Sequence, residues 1–369
     1  MTRLIIIFLL LLPFTSFGQY KYYFLKENFF GRQQNARAEA MGRSYTSIDG
    51  DLTTIYFNPA GAATIKGVET NGSYTPPPFY LTEGYYWYFS AGLNLSLRNM
   101  FKKSGWTPLP TGPGPSIQIA VSKFRFDFGK TEIQNVNKKP YSERNTLTVS
   151  SEPIKNLLIG LNLTNLVWQP GLDKAANSLY VDFGIIKKIK FLQKQSTGHS
   201  LNVGASISNL NNSKITLEYN GTTIKNDLPV VARFGANYQF NLAKHVLIDT
   251  LTTLVFLVQG EYQNLLNSEY ETAIRVGGEL MLFEILSLRA GYYFEKQYDF
   301  GYPSINYDKI TPFTYGLGLQ VPLYKLTKIP MNINFDFASL SQPKYTNNSP
   351  DWKNFKTFNL RLNWILKSK

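Results

Sequence analysis

The stretch YYWYFSAGLNLSLR, Tyr85 to Arg98, decides the fold. Successive side chains of an extended chain point to opposite sides. Tyr85, Trp87, Phe89, Ala91, Leu93, Leu95 and Leu97 therefore share one face. Tyr86, Tyr88, Ser90, Gly92, Asn94, Ser96 and Arg98 share the other. An alternation this long is about twice a typical soluble strand. It suits a tilted strand that crosses a bilayer, with lipid on the apolar side and a polar lumen on the other.

The same period recurs along the chain. In PVVARFGANYQF, Val230, Ala232, Phe234, Ala236, Tyr238 and Phe240 oppose Arg233, Gly235, Asn237 and Gln239. In TAIRVGGEL, Ile274, Val276 and Leu280 oppose Arg275, Gly277 and Glu279, and LSLRAGYYFEK and FNLRLNWIL behave likewise. An arginine on the lipid face near the midplane costs about 2–4 kcal/mol, so these charges belong to the lumen. The reading gives an all-β chain: a transmembrane antiparallel barrel of about 14 strands, counted with the roughly ten-residue strand of such barrels. The strands are expected to begin near Thr64, Tyr85, Ser116, Tyr141, Ile154, Asn177, Ser200, Leu228, Leu251, Tyr270, Leu286, Thr311, Pro330 and Asn354. Tight turns are expected at Ser151–Pro153 and Phe283–Ile285, and longer connections at 212–227, 298–309 and 342–354. A three-residue loop at Phe283–Ile285 sets Leu282 against Leu286 and Glu279 against Arg289, a cross-strand ion pair inside the lumen.

Composition points the same way. The chain has 369 residues, with 24 Tyr, 26 Phe and only 17% charged residues, below the roughly 25% of a soluble domain. It opens MTRLIIIFLLLLPFTSFGQ. Arg3 is a positive n-region, Leu4–Leu12 an apolar h-region, and Ser16 and Gly18 the small residues before a cut at Gln19. Residues 1–18 read as a signal peptide, 19–63 as an N-terminal segment, and 64–369 as the barrel. No later run is long enough for a membrane-spanning helix. The absence of cysteine excludes disulfides and thiolate metal sites. The formal charge of +13 on an exported chain suits anionic lipid headgroups rather than nucleic acid.

Catalytic chemistry finds little support. His199 and His245 lie in no HExxH pattern, and no GxSxG occurs. His199 and Ser200 are adjacent strand residues and so face apart. DGDL at 49–52 lacks the spacing of a calcium loop. The chain reads as no enzyme, with no catalytic residues, no metal and no cofactor.

One further stretch resists the alternation. NARAEAMGRSYTSIDGDLTTIYFNPAGAATIKG, Asn35 to Gly67, ends two aromatics on an Asn-Pro break. It resembles the N-terminal signature of the outer-membrane long-chain fatty-acid transporter (FadL) superfamily, and looks closest to its PorV/PorQ-like branch. Arg37, Ala38, Ala40, Met41 and Gly42 match the first part of that signature, Asp49 and Asp51 its acidic part, and Asn58, Pro59, Ala60 and Gly61 its close. The resemblance implies a 14-strand barrel in the outer membrane with an N-terminal hatch in its lumen, Asn58–Gly61 ending the hatch. It also implies passive transport of hydrophobic, fatty-acid-like small molecules. The alternative is a protein-binding barrel of a type IX secretion or surface-attachment machine. For transport, Phe29, Phe30, Tyr86, Tyr88, Leu158 and Tyr293 are the candidate ligand-lining residues. For partner binding, the candidate rim is Phe79, Tyr80, Tyr302 and Trp352.

Overall fold

A computed structural model describes residues 35–76, 85–96, 116–127, 141–169, 174–194, 197–219, 222–244, 251–267, 272–295, 305–306, 313–327, 329–340, 344–345 and 355–365. Its strands are β1 (Val68–Thr75), β2 (Tyr85–Ser96), β3 (Ser116–Asp127), β4 (Tyr141–Ile154), β5 (Leu157–Gln169), β6 (Ala176–Phe191), β7 (Thr197–Ser208), β8 (Lys214–Tyr219), β9 (Thr222–Asp227), β10 (Val231–Lys244), β11 (Thr252–Leu265), β12 (Thr272–Leu282), β13 (Leu286–Glu295), β14 (Ile305–Asn306), β15 (Phe313–Val321), β16 (Met331–Leu340), β17 (Lys344–Tyr345) and β18 (Phe355–Trp364). All but the pairs β8–β9 and β14–β17 join one closed antiparallel barrel of 14 strands, sealed where β1 meets β18. Closure is what lipid requires, because an open sheet edge there leaves backbone groups without partners.

Residue parity sorts the wall into two surfaces. Phe89, Val121, Leu147, Leu161, Ile274 and Leu317 are among the large apolar side chains exposed on the outside. Gln118, Asn162, Arg233, Glu261, Glu279 and Arg289, at the alternate positions, are buried. The strands thus present an apolar band outward and a polar lumen inward, as a barrel in a membrane must. On the outside, near the end where β6 turns into β7, Phe191, His199, Tyr238 and Phe240 pack together. His199 Nδ1 lies 2.6 Å from the Tyr238 hydroxyl. Amphipathic rings at a rim are the girdle expected at a membrane interface.

The lumen is not empty. Residues 35–67 run inside it as three short turns, each begun by a side chain that caps the free N–H groups. Asn35 accepts from Arg37 N and Ala38 N at the head of α1 (Ala36–Ala40). Asp51 accepts from Thr53 N ahead of the 3-10 turn Leu52–Tyr56. Asn58 accepts from Ala60 N ahead of the 3-10 turn Pro59–Thr64. Proline at the first helical position loses no bond there. This is what the aromatics running into Asn-Pro do: the break starts a third turn.

Lumen-facing glycines let this inner segment touch the wall backbone to backbone. A Cβ at Gly160 would overlap Pro59 and Ala60, and one at Gly184 would overlap Asn58. A Cβ at Gly277 would overlap Met41, and one at Gly291 would overlap Met41 and Gly42. By contrast, a Cβ at the outward Gly278 would meet its nearest atom, Leu257 O, at an ordinary 3.4 Å.

Three details differ from the sequence reading. The first wall strand begins at Val68, not near Thr64, because Pro59–Thr64 still belong to the inner segment. Ser151–Pro153 is not a turn. β4 continues to Ile154, its register shifts between Ser151 and Ile154, and Asn156 (φ 64°) makes the reversal. Proline is tolerated where a bulge leaves its nitrogen outside the ladder. The connection at 212–227 is not a plain loop, since it holds the hairpin β8–β9. The loop at Phe283–Ile285 does set Leu282 opposite Leu286.

The glycine contacts carry a test. Gly291→Val is expected to abolish the heat-modifiable folded band of the barrel on a gel, whereas Gly278→Val, on the lipid side of the same wall, leaves it at wild-type intensity. Equal behaviour of the two variants would refute the close-approach role of Gly291.

Candidate passage through the barrel

The inner segment is held by a web of buried charge. Arg37 of α1 gives Nη2 to Glu279 Oε2 at 2.6 Å and Nη1 to Asp51 Oδ2 at 3.0 Å. Arg289 Nε lies 2.6 Å from Glu279 Oε1, and its Nη1 lies 2.7 Å from Asp336 Oδ1. Glu279 and Arg289 face each other across β12 and β13. Arg361 of β18 reaches Asp51 Oδ2 at 3.1 Å. The Tyr45 hydroxyl donates to the same oxygen at 2.7 Å. Glu261 of β11 accepts from Tyr45 N and Thr46 N at 2.8 and 2.9 Å, and Glu69 of β1 accepts from Leu52 N at 2.7 Å. Burial pushes the Asp51 carboxyl up, but the Arg361 and Arg37 guanidiniums outweigh burial and hold it below the usual carboxylate range. Desolvation pushes the Tyr45 hydroxyl up, so it stays protonated and able to donate.

Asn58 is fully buried and makes further bonds. Its Nδ2 donates to Thr46 O at 2.8 Å, Ile185 O at 3.1 Å and Ala205 O at 3.3 Å. One amide thus ties the third turn to the first half of the inner segment and to β6 and β7. Pro59 and Ala60 follow it against β5 and β6, Gly61 packs on Ile48 and Thr54 within the inner segment, and Ala60 packs with Ala63, Leu158 and Ile186.

The candidate lining residues are not brought to one place. Tyr86 and Tyr88 sit with Phe124, Phe126, Leu166, Ala176 and Tyr180 in an aromatic cluster toward the end of the barrel that carries β8–β9. Leu158 lies at the opposite end, against the inner segment. Tyr293 sits under the Arg43 guanidinium, 5.4 Å from its ring centroid. Phe29, Phe30, and the rim residues Phe79, Tyr80, Tyr302 and Trp352 lie outside the described residues.

Below the aromatic cluster is an internal cavity of about 20 Å3, bordered by Tyr56, Tyr88, Ser122, Arg144, Thr146 and Tyr180 among others. That is room for about one water. Arg144 lies between two rings, 4.4 Å from the Tyr56 centroid and 4.6 Å from that of Phe124, and the Arg233 guanidinium stands 5.2 Å from the same Tyr56 centroid. On the lipid side of the same wall is an apolar depression of about 400 Å3, lined by Phe89, Val121, Leu147, Leu163 and Leu179. Ser122 and Thr146 line both spaces. They are partners in the β3–β4 register, and Ser90 and Thr164 continue the row on either side. Four small side chains in a row make the wall thin there. Sequence reasoning missed Ser122 and Thr146. Their signal was a serine and a threonine at lumen positions flanked by Ala120, Phe124, Arg144 and Thr148.

No family model matches the chain, and no curated protein matches it. Solved structures do. The TodX deltaS2S3 mutant monoaromatic hydrocarbon channel is 12% identical, over 89% of this chain and 98% of that one, with a TM-score of 0.42. A Pseudomonas aeruginosa FadL homologue is 10% identical, over 91% and 99%, with a TM-score of 0.43. The CymD monoaromatic hydrocarbon channel is 11% identical, over 91% and 98%, with a TM-score of 0.40.

Asp51 predicts a pH response. Its folded pKa is depressed below the ordinary value of 3.8. Its contribution is therefore complete above that value and is lost as pH falls through the lowered folded value. Planar-bilayer currents should stay low at pH 5 and above and rise as the pH drops below about 3.8. Asp51→Asn leaves Arg37 and Arg361 without that carboxylate and is expected to cost about 3–5 kcal/mol. It should raise current already at pH 7; a variant as quiet as the wild type would refute the anchoring role.

Proposed function

We propose that this barrel lies in an outer membrane and lets small hydrophobic, fatty-acid-like compounds cross it passively, leaving sideways through the wall at Ser122 and Thr146. The observation that carries the reading is that these two residues border the internal cavity on one side and the apolar lipid-side depression on the other. An apolar solute gains by moving from an aromatic lumen into lipid, and loses by crossing a polar lumen to water. The lower half of this lumen is filled by charged and amide side chains on the inner segment and wall. The aromatic half opens instead toward the thin row in β3 and β4. Arg144 at the cavity suits the carboxylate of an amphiphile, because a guanidinium binds a carboxylate strongly in a dry site. In this structure the passage is shut, since about 20 Å3 admits no such molecule. Movement of Tyr56, Tyr88 or Tyr180 must widen it, with the residues 19–63 acting as the hatch.

The reading is tested with cells that make the barrel and are given labelled dodecanoate or naphthalene. Thr146→Trp is expected to lower initial uptake at least tenfold while the barrel keeps its folded mobility on a gel. Uptake by the Trp variant equal to the wild type would rule out the sideways exit. Wild-type uptake equal to that of cells without the barrel would rule out transport.

A further inference from the structure

The wall has a second irregularity, on the strand that faces the aromatic cluster. β6 pairs with β5 along Ala176–Lys187, but β7 meets it only from Phe183 to Phe191. Above Phe183, among the described residues, no strand of the barrel covers the free edge of β6. Residues 209–214 cover it instead, largely with side chains. Leu210 N donates to Val181 O at 2.8 Å. Asn211 Oδ1 accepts from Val181 N at 3.0 Å, and Asn211 Nδ2 donates to Leu179 O at 3.1 Å. Ser213 Oγ donates to Leu179 O at 2.8 Å, and Ser178 Oγ donates to Lys214 O at 2.9 Å. Asparagine and serine thus imitate a strand's ladder without being one.

The segment leads into β8–β9. Ile215 and Leu217 of β8 are buried in the aromatic cluster with Tyr86, Phe124, Phe126 and Tyr180. The hairpin's own alternation puts Thr216 and Glu218 outward, and Glu218 meets Lys174 at 2.9 Å in solvent. Its base turns on Asn209 (φ 57°) and Asn212 (φ 46°), left-handed positions that asparagine tolerates. Asn209 is fully buried and bonds Leu228 O at 3.1 Å and Ser213 N at 2.8 Å, so it clasps both feet of the hairpin.

We propose that the aromatic cluster is a binding chamber for a flat or chain-like apolar ligand, and that β8–β9 is its lid, with Ile215 and Leu217 standing where the ligand binds. The proposal rests on the conduit reading for the class of ligand. Two branched aliphatic side chains among rings are what an apolar guest would replace at little cost, because the chamber exchanges one apolar filling for another. The latch that must open is polar and lies at the exposed edge of β6, where water can take over each bond as it breaks. Lid opening frees the chamber and the upper edge of β6 together.

A cross-link tests this in a chain that has no cysteine of its own. Ser178 Oγ and Ser213 Oγ lie 2.7 Å apart, one on the wall and one at the foot of the lid. The double variant Ser178→Cys with Ser213→Cys can be oxidised to hold the lid shut, then reduced. The probe is a naphthalene bearing a photoreactive diazirine, and its attachment is mapped by peptide mass spectrometry. In the reduced form the peptides carrying Tyr86 and Phe126 should be labelled as in the wild type. In the oxidised form labelling should fall at least fivefold. Asn211→Ala, an exposed position that loosens only the latch, should raise the labelling rate severalfold. Equal labelling of the oxidised and reduced forms would overturn the lid. Labelling elsewhere in the barrel but not at Tyr86 or Phe126 would overturn the chamber. Redox-dependent labelling in a barrel that fails the uptake test would uphold the lid and sink the conduit.

Discussion

A closed ring of 14 strands gives each wall strand a partner on both sides, but it leaves an interior wider than wall side chains alone can fill. That interior is the constraint from which the rest follows. The chain fills it with its own residues 35–67, and the filling must be tied down by groups that tolerate burial. Carboxylates and guanidiniums do this in alternation: Asp51 between Arg37 and Arg361, Glu279 between Arg37 and Arg289. Each charge has opposite charges on more than one side, which makes a buried ion affordable. The polar faces of the strands are thus polar for two reasons, away from lipid and toward the inner segment.

The two halves of the lumen differ in chemistry. Where the inner segment lies, contacts are amide, carboxylate and glycine backbone. Where it is absent, β2, β3, β5 and β6 bring their lumen-facing aromatics together and the hairpin β8–β9 covers them. The thin row at Ser122 and Thr146 runs along the boundary between these halves. A hydrophobic guest that reaches the aromatic half finds a charged floor ahead and a thin wall beside it.

Much of this was legible in the sequence. Strict alternation fixed which residues face lipid, and the three-residue loop at Phe283–Ile285 fixed the pairing of Glu279 with Arg289, because local register follows from a short turn. What lies 242 residues apart, Arg37 against Glu279, had no local signal. Pro153 misled, since proline breaks a ladder only where its nitrogen would have donated. The hairpin did carry a signal: Ile215 and Leu217 alternate, and Asn220-Gly221 is a favoured two-residue turn. It was masked by the polar residues around it. Tyr86, Tyr88, Leu158 and Tyr293 all face inward as their parity requires, yet parity says nothing about height along the axis, and they sit in three separate places.

The seam between β1 and β18 has a consequence for biogenesis. β1 follows the inner segment directly, and β18, the last of the described strands, pairs with it to close the ring. The ring shuts only when β18 pairs with β1, and the wall glycines then hold residues 35–67 in backbone-to-backbone contact, a fit that favours a core already in place at closure. The inner segment is thus a mandrel around which the barrel is wound. Machinery that inserts this chain into a membrane is therefore helped by holding β18 back until the core it encloses has folded.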